Sequence, residues 1–151
     1  MTPEFTLRRA VADDLADILA LVEALHALEG IDMAPAARRA AVAGFIERPE
    51  IGGIWVAETG GRIAAYVAVA WGWSIVFGGR DAFLDEICVA EDLRGQGLGA
   101  ALIERLKPAL SAEGAAAVHL EVNTSNDAAR RLYVRHGFAL RDGYHLMSAP
   151  L

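Results

Sequence analysis

The sequence predicts a mixed α/β sheet with helices packed on its faces, and three observations carry that expectation. Short apolar runs of strand length alternate with longer segments whose apolar residues recur at helical spacing. A glycine pair, Gly60-Gly61, stands between two apolar runs as a hairpin signal. A further apolar run leads directly into a glycine-rich turn and a long amphipathic helix. The length of 151 residues fits a single domain over residues 1–151.

Residues 5–11 read as an opening strand. Ala12-Asp13-Asp14 then supplies a carboxylate cap for a helix through Leu28, with Leu15, Ile18, Leu19, Val22, Leu25 and His26 on one face. Gly30 stops it. Pro35 opens a second helix over residues 36–48, whose Val42, Phe45 and Ile46 make a narrow apolar face. Strands over 54–58 and 62–71 flank Thr59-Gly60-Gly61, and 82–89 is another strand. A helix over about residues 97–112 carries Leu98, Leu102, Ile103, Leu106 and Leu110. Gly114 breaks it, and 116–122 reads as a buried strand. Residues 126–136 are helical, Gly137 ends them, and 138–147 suggests a terminal strand pair turning at Asp142-Gly143. The expected order is β-α-α-β-β-β-α-β-α-β-β.

Composition removes several classes of function. Hydrophobic residues make up 54% and charged residues 23%, as in ordinary globular domains. With 14 Lys and Arg against 20 Asp and Glu, the net charge of −6 argues against nucleic-acid binding, which needs a basic footprint. Cys88 is the one cysteine, which excludes an internal disulfide or a multi-cysteine zinc cage. His26, His119, His136 and His145 show no metal-ligand spacing and read as structural or surface residues, so no metal is expected. The apolar run over 63–71 falls short of the ~20 residues a membrane helix needs, and residues 1–5 lack the features of a signal peptide. A soluble, cytoplasmic protein without a membrane partner is the expectation.

The most informative segment runs from Cys88 through Arg94-Gly95-Gln96-Gly97-Leu98-Gly99-Ala100. Backbone N–H groups at a helix start are unpaired and lie at the positive end of the helix dipole, so they attract phosphate. Glycines let a diphosphate approach the main chain, and Arg94 adds a permanent charge. A Walker loop would need Gly-Lys-Ser/Thr, which Gly99-Ala100-Ala101 does not offer. A dinucleotide-binding unit, with Glu121 on the ribose, is the nearer rival. The spacing Gly95-x-Gly97-x-Gly99 departs from the G-x-G-x-x-G of that fold.

Arg94-Gly95-Gln96-Gly97-Leu98-Gly99 resembles the acetyl-CoA pyrophosphate loop, R/Q-x-x-G-x-G/A, of the GCN5-related N-acetyltransferase (GNAT) superfamily. Residues 126–138 are similar to a second signature of that family, N-x-x-A-x-x-L-Y-x-x-x-G-F. The segment from Trp73-Ser74 through residues 83–89 most resembles the diamine and polyamine (spermidine/spermine-like) acetyltransferases. The resemblance implies a mostly antiparallel mixed sheet with helices on both faces. It implies acetyl-CoA as cosubstrate and direct transfer in a ternary complex to a primary amine, foremost of a small molecule. Protein N-termini or lysines are the alternative acceptors, and a non-catalytic acyl-CoA-binding module is the rival without chemistry. A homodimer is also implied, with the apolar 63–73 segment and the C-terminal strands as its surface.

The resemblance also distributes roles. Cofactor contacts fall to Ile87, Cys88 and Val89, to Arg94, Gly95, Gln96, Gly97, Leu98, Gly99 and Ala100, and to Asn126 and Ala129. Asn126 is expected to hydrogen-bond the pantetheine arm. An amine of pKa near ~10 is almost wholly protonated at neutral pH, so a base is worth a large factor. Asp85 and Glu86 are adjacent strand carboxylates, one to each face, and Glu86 is preferred as the base for its longer reach. Tyr133, seven residues after Asn126 and on the same helix face, takes the role of general acid to the departing sulfur. Cys88, mid-strand and without a histidine nearby in sequence, reads as a small hydrophobe. Trp71, Trp73 and Tyr66 read as core or interface aromatics, with an acceptor pocket as the other use.

Overall fold

The computed structural model describes residues 1–151, which divide into two compact units, Met1–Glu121 and Val122–Leu151. The first unit holds a five-stranded sheet in the order β1-β2-β3-β4-β5. Its strands are β1 (Thr6–Arg9), β2 (Gly52–Thr59), β3 (Arg62–Ser74), β4 (Gly79–Val89) and β5 (Ala117–Leu120). Neighbours pair antiparallel except β4 and β5, which run parallel. The helices are α1 (Leu15–Glu29), α2 (Pro35–Glu47) and α3 (Leu98–Ala112).

Local chemistry explains these elements. Gly60 and Gly61 take φ of +58° and +76°, the left-handed pair a two-residue hairpin needs, and Thr59 pairs with Arg62 across them. β3 is buried on both faces, which is why it reads as a continuous apolar run. Ile18 and Val22 of α1 and Val42 of α2 pack against Ile54, Val56, Tyr66, Ala68 and Cys88 on one face of the sheet. On α3 the buried stripe is Leu98, Leu102, Ile103, Leu106 and Leu110 at helical spacing, and this helix contacts β4 and β1. Burying each such leucine or isoleucine contributes about 1.5–3 kcal/mol.

Two sequence expectations need correction here. Asp14 does not cap α1, which has no side-chain cap. Its carboxylate turns back to accept from Val11 N at 2.8 Å and from Arg8 at 2.7 and 2.9 Å, and Arg8 holds it below the usual carboxylate range. The apolar 63–73 segment also offers little surface, because Ile63 through Val69 is core. Exposed apolar residues stand at its far end and in the β3–β4 turn, at Trp73, Ile75, Val76 and Phe77.

The second unit contains one helix, α4 (Asp127–Arg135). The expected terminal strand pair is absent: the turn at Asp142-Gly143 forms, with Gly143 at φ +86°, but no ladder flanks it. Residues 139–151 are all exposed, so they bury no apolar face, and a bare two-stranded hairpin is marginal in water. No helix of the chain is long and apolar enough to cross a membrane.

Candidate active site

A β-bulge decides where the adjacent carboxylates go. Ala68 pairs with Glu86 and Val69 with Leu84, which leaves Asp85 without a partner on β3. In an unbroken ladder Leu84 and Glu86 would share a face. The extra residue moves Glu86 onto the α1–α2 face, beside Tyr66 and Cys88.

There Glu86 Oε1 lies 2.6 Å from His26 Nε2, and Glu86 Oε2 accepts from the Tyr66 hydroxyl at 2.8 Å. His26 comes from the last turn of α1, and its Nδ1 accepts from Arg38 Nε of α2 at 3.3 Å. Side chains of α1 and β3 therefore meet one carboxylate of β4, with Arg38 of α2 behind the histidine. Tyr66 is fully buried, and that desolvation, followed by the Glu86 charge, pushes its pKa far up. Its hydroxyl is a standing donor. Asp85 is exposed as a residue, yet the protein around its carboxyl still removes water. That desolvation, then the charges of Glu86 and Glu121, raises its pKa. Burial pushes the Cys88 thiol up as well, which fits its reading as a small hydrophobe.

The same strand leads to a glycine-rich turn. β5 parts from β4 after the Leu84–Leu120 pair, while β4 runs on to Val89. On that side no strand pairs with Ile87, Cys88 or Val89. Arg94 Nε donates to Val89 O at 2.9 Å and Gln96 Nε2 to Asp92 O at 2.9 Å, which ties the turn to the strand end. Gly95 and Gly97 stand at φ +75° and +83°, and Gly97 delivers the chain into α3. The bond from Ala101 N to Gly97 O opens the helix, and no side chain caps it. The amides of Leu98, Gly99 and Ala100 thus point outward with no helical carbonyl to meet.

In the second unit Asn126 caps α4, its Oδ1 accepting from Ala129 N at 3.1 Å. That bond leaves the two side-chain N–H donors of Asn126 outside the cap. Tyr133 is half-buried, and desolvation raises its pKa, so the phenol is protonated at neutral pH. Gly137, at φ +85°, folds the chain back so that Phe138 N reaches Tyr133 O at 3.0 Å. The Phe138 ring then meets the Tyr133 ring edge-on, with centroids 5.7 Å apart. The spacing Y-x-x-x-G-F is thus a clamp on the tyrosine.

His26 and Arg38 escaped the sequence reading as site residues, and Tyr66 entered it only as a core or interface aromatic with an acceptor pocket as its other use. The available signal was His26 itself, a titratable side chain on the apolar face of a helix.

The parallel pair of the sheet opens beside the uncapped start of α3, with the Glu86 carboxylate held on the strand between. The chain belongs to the Acetyltransferase (GNAT) family, which it matches over residues 20–138. That family uses acetyl-CoA as cosubstrate. An uncharacterized N-acetyltransferase of Methanocaldococcus jannaschii is 30% identical over 138 residues, which is 89% of this chain and 60% of that protein. The chain thus spans about 60% of the length of that relative. An integron cassette protein from the mobile metagenome of Cole Harbour Salt Marsh shares 26% identity, with TM-score 0.83 over 96% of this chain and 90% of that one. A possible acetyltransferase from Clostridium difficile 630 shares the fold at 19% identity, with TM-score 0.86 over 97% of each chain.

Proposed function

We propose that this protein transfers the acetyl group of acetyl-CoA to a primary amine of a small molecule, by direct transfer in a ternary complex. The observation that carries the reading is Glu86, held between His26 and Tyr66 on a strand that runs on into the uncapped start of α3. Acetyl-CoA supplies the thioester, the activated acyl group. The amides of Leu98, Gly99 and Ala100, reached through Gly95 and Gly97, and the side chain of Arg94 fit its diphosphate. The stretch of Ile87, Cys88 and Val89, without a strand partner on the side that β5 has left, offers main-chain groups to an extended arm, and Asn126 offers its side-chain amide.

Glu86 meets the ammonium of the acceptor and takes its proton, directly or through water. Asp85 adds negative potential from the bulge. Tyr133, protonated at neutral pH, returns a proton to the sulfur. A cationic acceptor agrees with the carboxylates at this strand, and a diamine or polyamine is the acceptor class proposed. A cytoplasmic site of action is part of the same reading. So is a homodimer formed through Trp73, Ile75, Val76 and Phe77, whose exposed apolar side chains cluster at the β3–β4 turn. A single monomeric species by sedimentation at micromolar concentration would remove the dimer.

The direct test is coenzyme A release across a panel of monoamines, diamines, polyamines and peptides with a free N-terminus. Turnover with small amines, strongest for the diamines and polyamines, is expected. Turnover confined to peptides would move the acceptor to proteins, and binding of acetyl-CoA without release of coenzyme A would leave only a binding module.

A further inference from the structure

The hydrogen-bond partners around His26 dictate where its protons are. Arg38 carries only N–H donors, so the ring atom it meets, Nδ1, must be an unprotonated acceptor. The ring proton then sits on Nε2 and is donated to Glu86 Oε1. Arg38 is itself held: a terminal nitrogen donates to Met33 O at 3.3 Å, another faces Glu23 at 3.9 Å, and its side chain is only 13% exposed. A second proton on His26 would set an N–H against the Arg38 N–H inside the protein.

We propose that Arg38 and His26 are positioning residues that keep Glu86 an anion with a fixed rotamer, Arg38 by locking His26 in its neutral Nε2–H tautomer. Its use in catalysis rests on the reading of Glu86 as the carboxylate that meets the acceptor amine. One Glu86 oxygen is satisfied by His26 and the other by Tyr66, and each retains a lone pair for an ammonium or a water. Were His26 to gain a proton, the resulting ion pair would cancel the charge that draws the amine and weaken the base. The groups facing this chain are Glu23 and Glu29 on α1, Arg38 on α2, Tyr66 on β3, Asp85 and Cys88 on β4, and Glu121 beyond β5. Among them Arg38 alone is a cation in contact with the ring, so it governs the second proton.

Nitrogen-15 spectra of the His26 ring and carbon-13 titration of the Glu86 carboxyl, on the full chain, test this without any turnover. Wild type is expected to show the Nε2–H tautomer of the ring at pH 7. Arg38→Met should raise the midpoint for the second proton by about 1 pH unit or more, whereas Arg38→Lys, which keeps a cationic donor, should not. His26→Ala should raise the Glu86 titration by a similar margin, and His26→Gln, whose amide can still donate, should restore it. A wild-type ring that is Nδ1–H or doubly protonated at pH 7 overturns the proposal, and that measurement needs no variant. So does a Glu86 titration indifferent to His26→Ala. The acid limb of kcat/KM should follow the Glu86 titration. A limb that stays put while the carboxyl moves would retain the Arg38–His26 lock and remove Glu86 as the base.

Discussion

At the scale of single residues, environment separates groups that look alike in sequence. Asp85 and Glu86 are neighbours, yet Glu86 has two donors while Asp85 is crowded by desolvation and by the charges of Glu86 and Glu121. A carboxyl whose pKa is raised on folding penalises the folded state once it ionises. Its favourable share is present at low pH and is lost as pH rises through the folded value. Asp85→Asn should therefore raise Tm at pH 7 by a degree or so, with the gain gone below about pH 3, where the acid is protonated in both states. A lower Tm at pH 7 would mean that the ionised Asp85 makes a stabilising contact. Activity should fall in the same variant, most at low pH, where more amine needs to lose a proton. Tyr133 makes the contrasting case, because only its hydroxyl is at issue. Tyr133→Phe keeps the ring against Phe138 and should cut kcat by ~10²–10⁴ with the Kd for acetyl-CoA nearly unchanged. A single-turnover measurement keeps slow product release from masking the loss. A tenfold weaker Kd would instead make Tyr133 a binding residue.

At the scale of elements, the glycine turn divides into parts that the spacing alone does not distinguish. Gly95 and Gly97 are left-handed, whereas Gly99 lies inside α3, where a Cβ would make ordinary contact with Val89 at 3.8 Å. At Gly97 an added Cβ would lie 2.8 Å from the Thr2 hydroxyl, and a β-branched residue at this φ carries about 1–3 kcal/mol of strain. Gly97→Val should thus re-aim the first amides of α3 and weaken acetyl-CoA binding by tenfold or more, while the core stripe of α3 keeps the chain folded. An unchanged Kd in a folded variant would move the diphosphate elsewhere. Elements with a local cause were legible: the Gly60-Gly61 hairpin, the α1 face, the α3 stripe and the helix ended by Gly137 all follow from neighbours in sequence. The bulge at Asp85 was not, because the register shift is set by β3 as well as by β4. With it went the direction of Glu86, and so the contact with His26, sixty residues earlier in the chain. The final strand pair failed for a related reason, since a turn signal at Asp142-Gly143 is local while a ladder needs a buried partner.

At the scale of the whole molecule, the glycine turn and α4 carry signatures that a single chain can display, so the family was legible from residues 94–99 and 126–138. The acceptor was not, because no local pattern marks the first two helices, whose link to Glu86 emerges only where Arg38 meets His26 and His26 meets the carboxylate. Mass action then gives a test that depends on no single side chain. A ligand that binds only the folded protein stabilises it by RT ln(1 + [L]/Kd), about 2.7 kcal/mol at a hundredfold excess over Kd. For a chain of this length each kcal/mol moves Tm by about 2–4 °C, so saturating acetyl-CoA should raise it by roughly 5–10 °C. NAD, the ligand of the dinucleotide rival, should leave Tm in place, because the turn lacks the G-x-G-x-x-G spacing of that fold. The shift should fall by about half or more in Gly97→Val and be retained in Tyr133→Phe, since the first alters the main-chain cradle and the second removes only a hydroxyl. An equal shift with NAD, or none with acetyl-CoA, would return the glycine turn to a packing role.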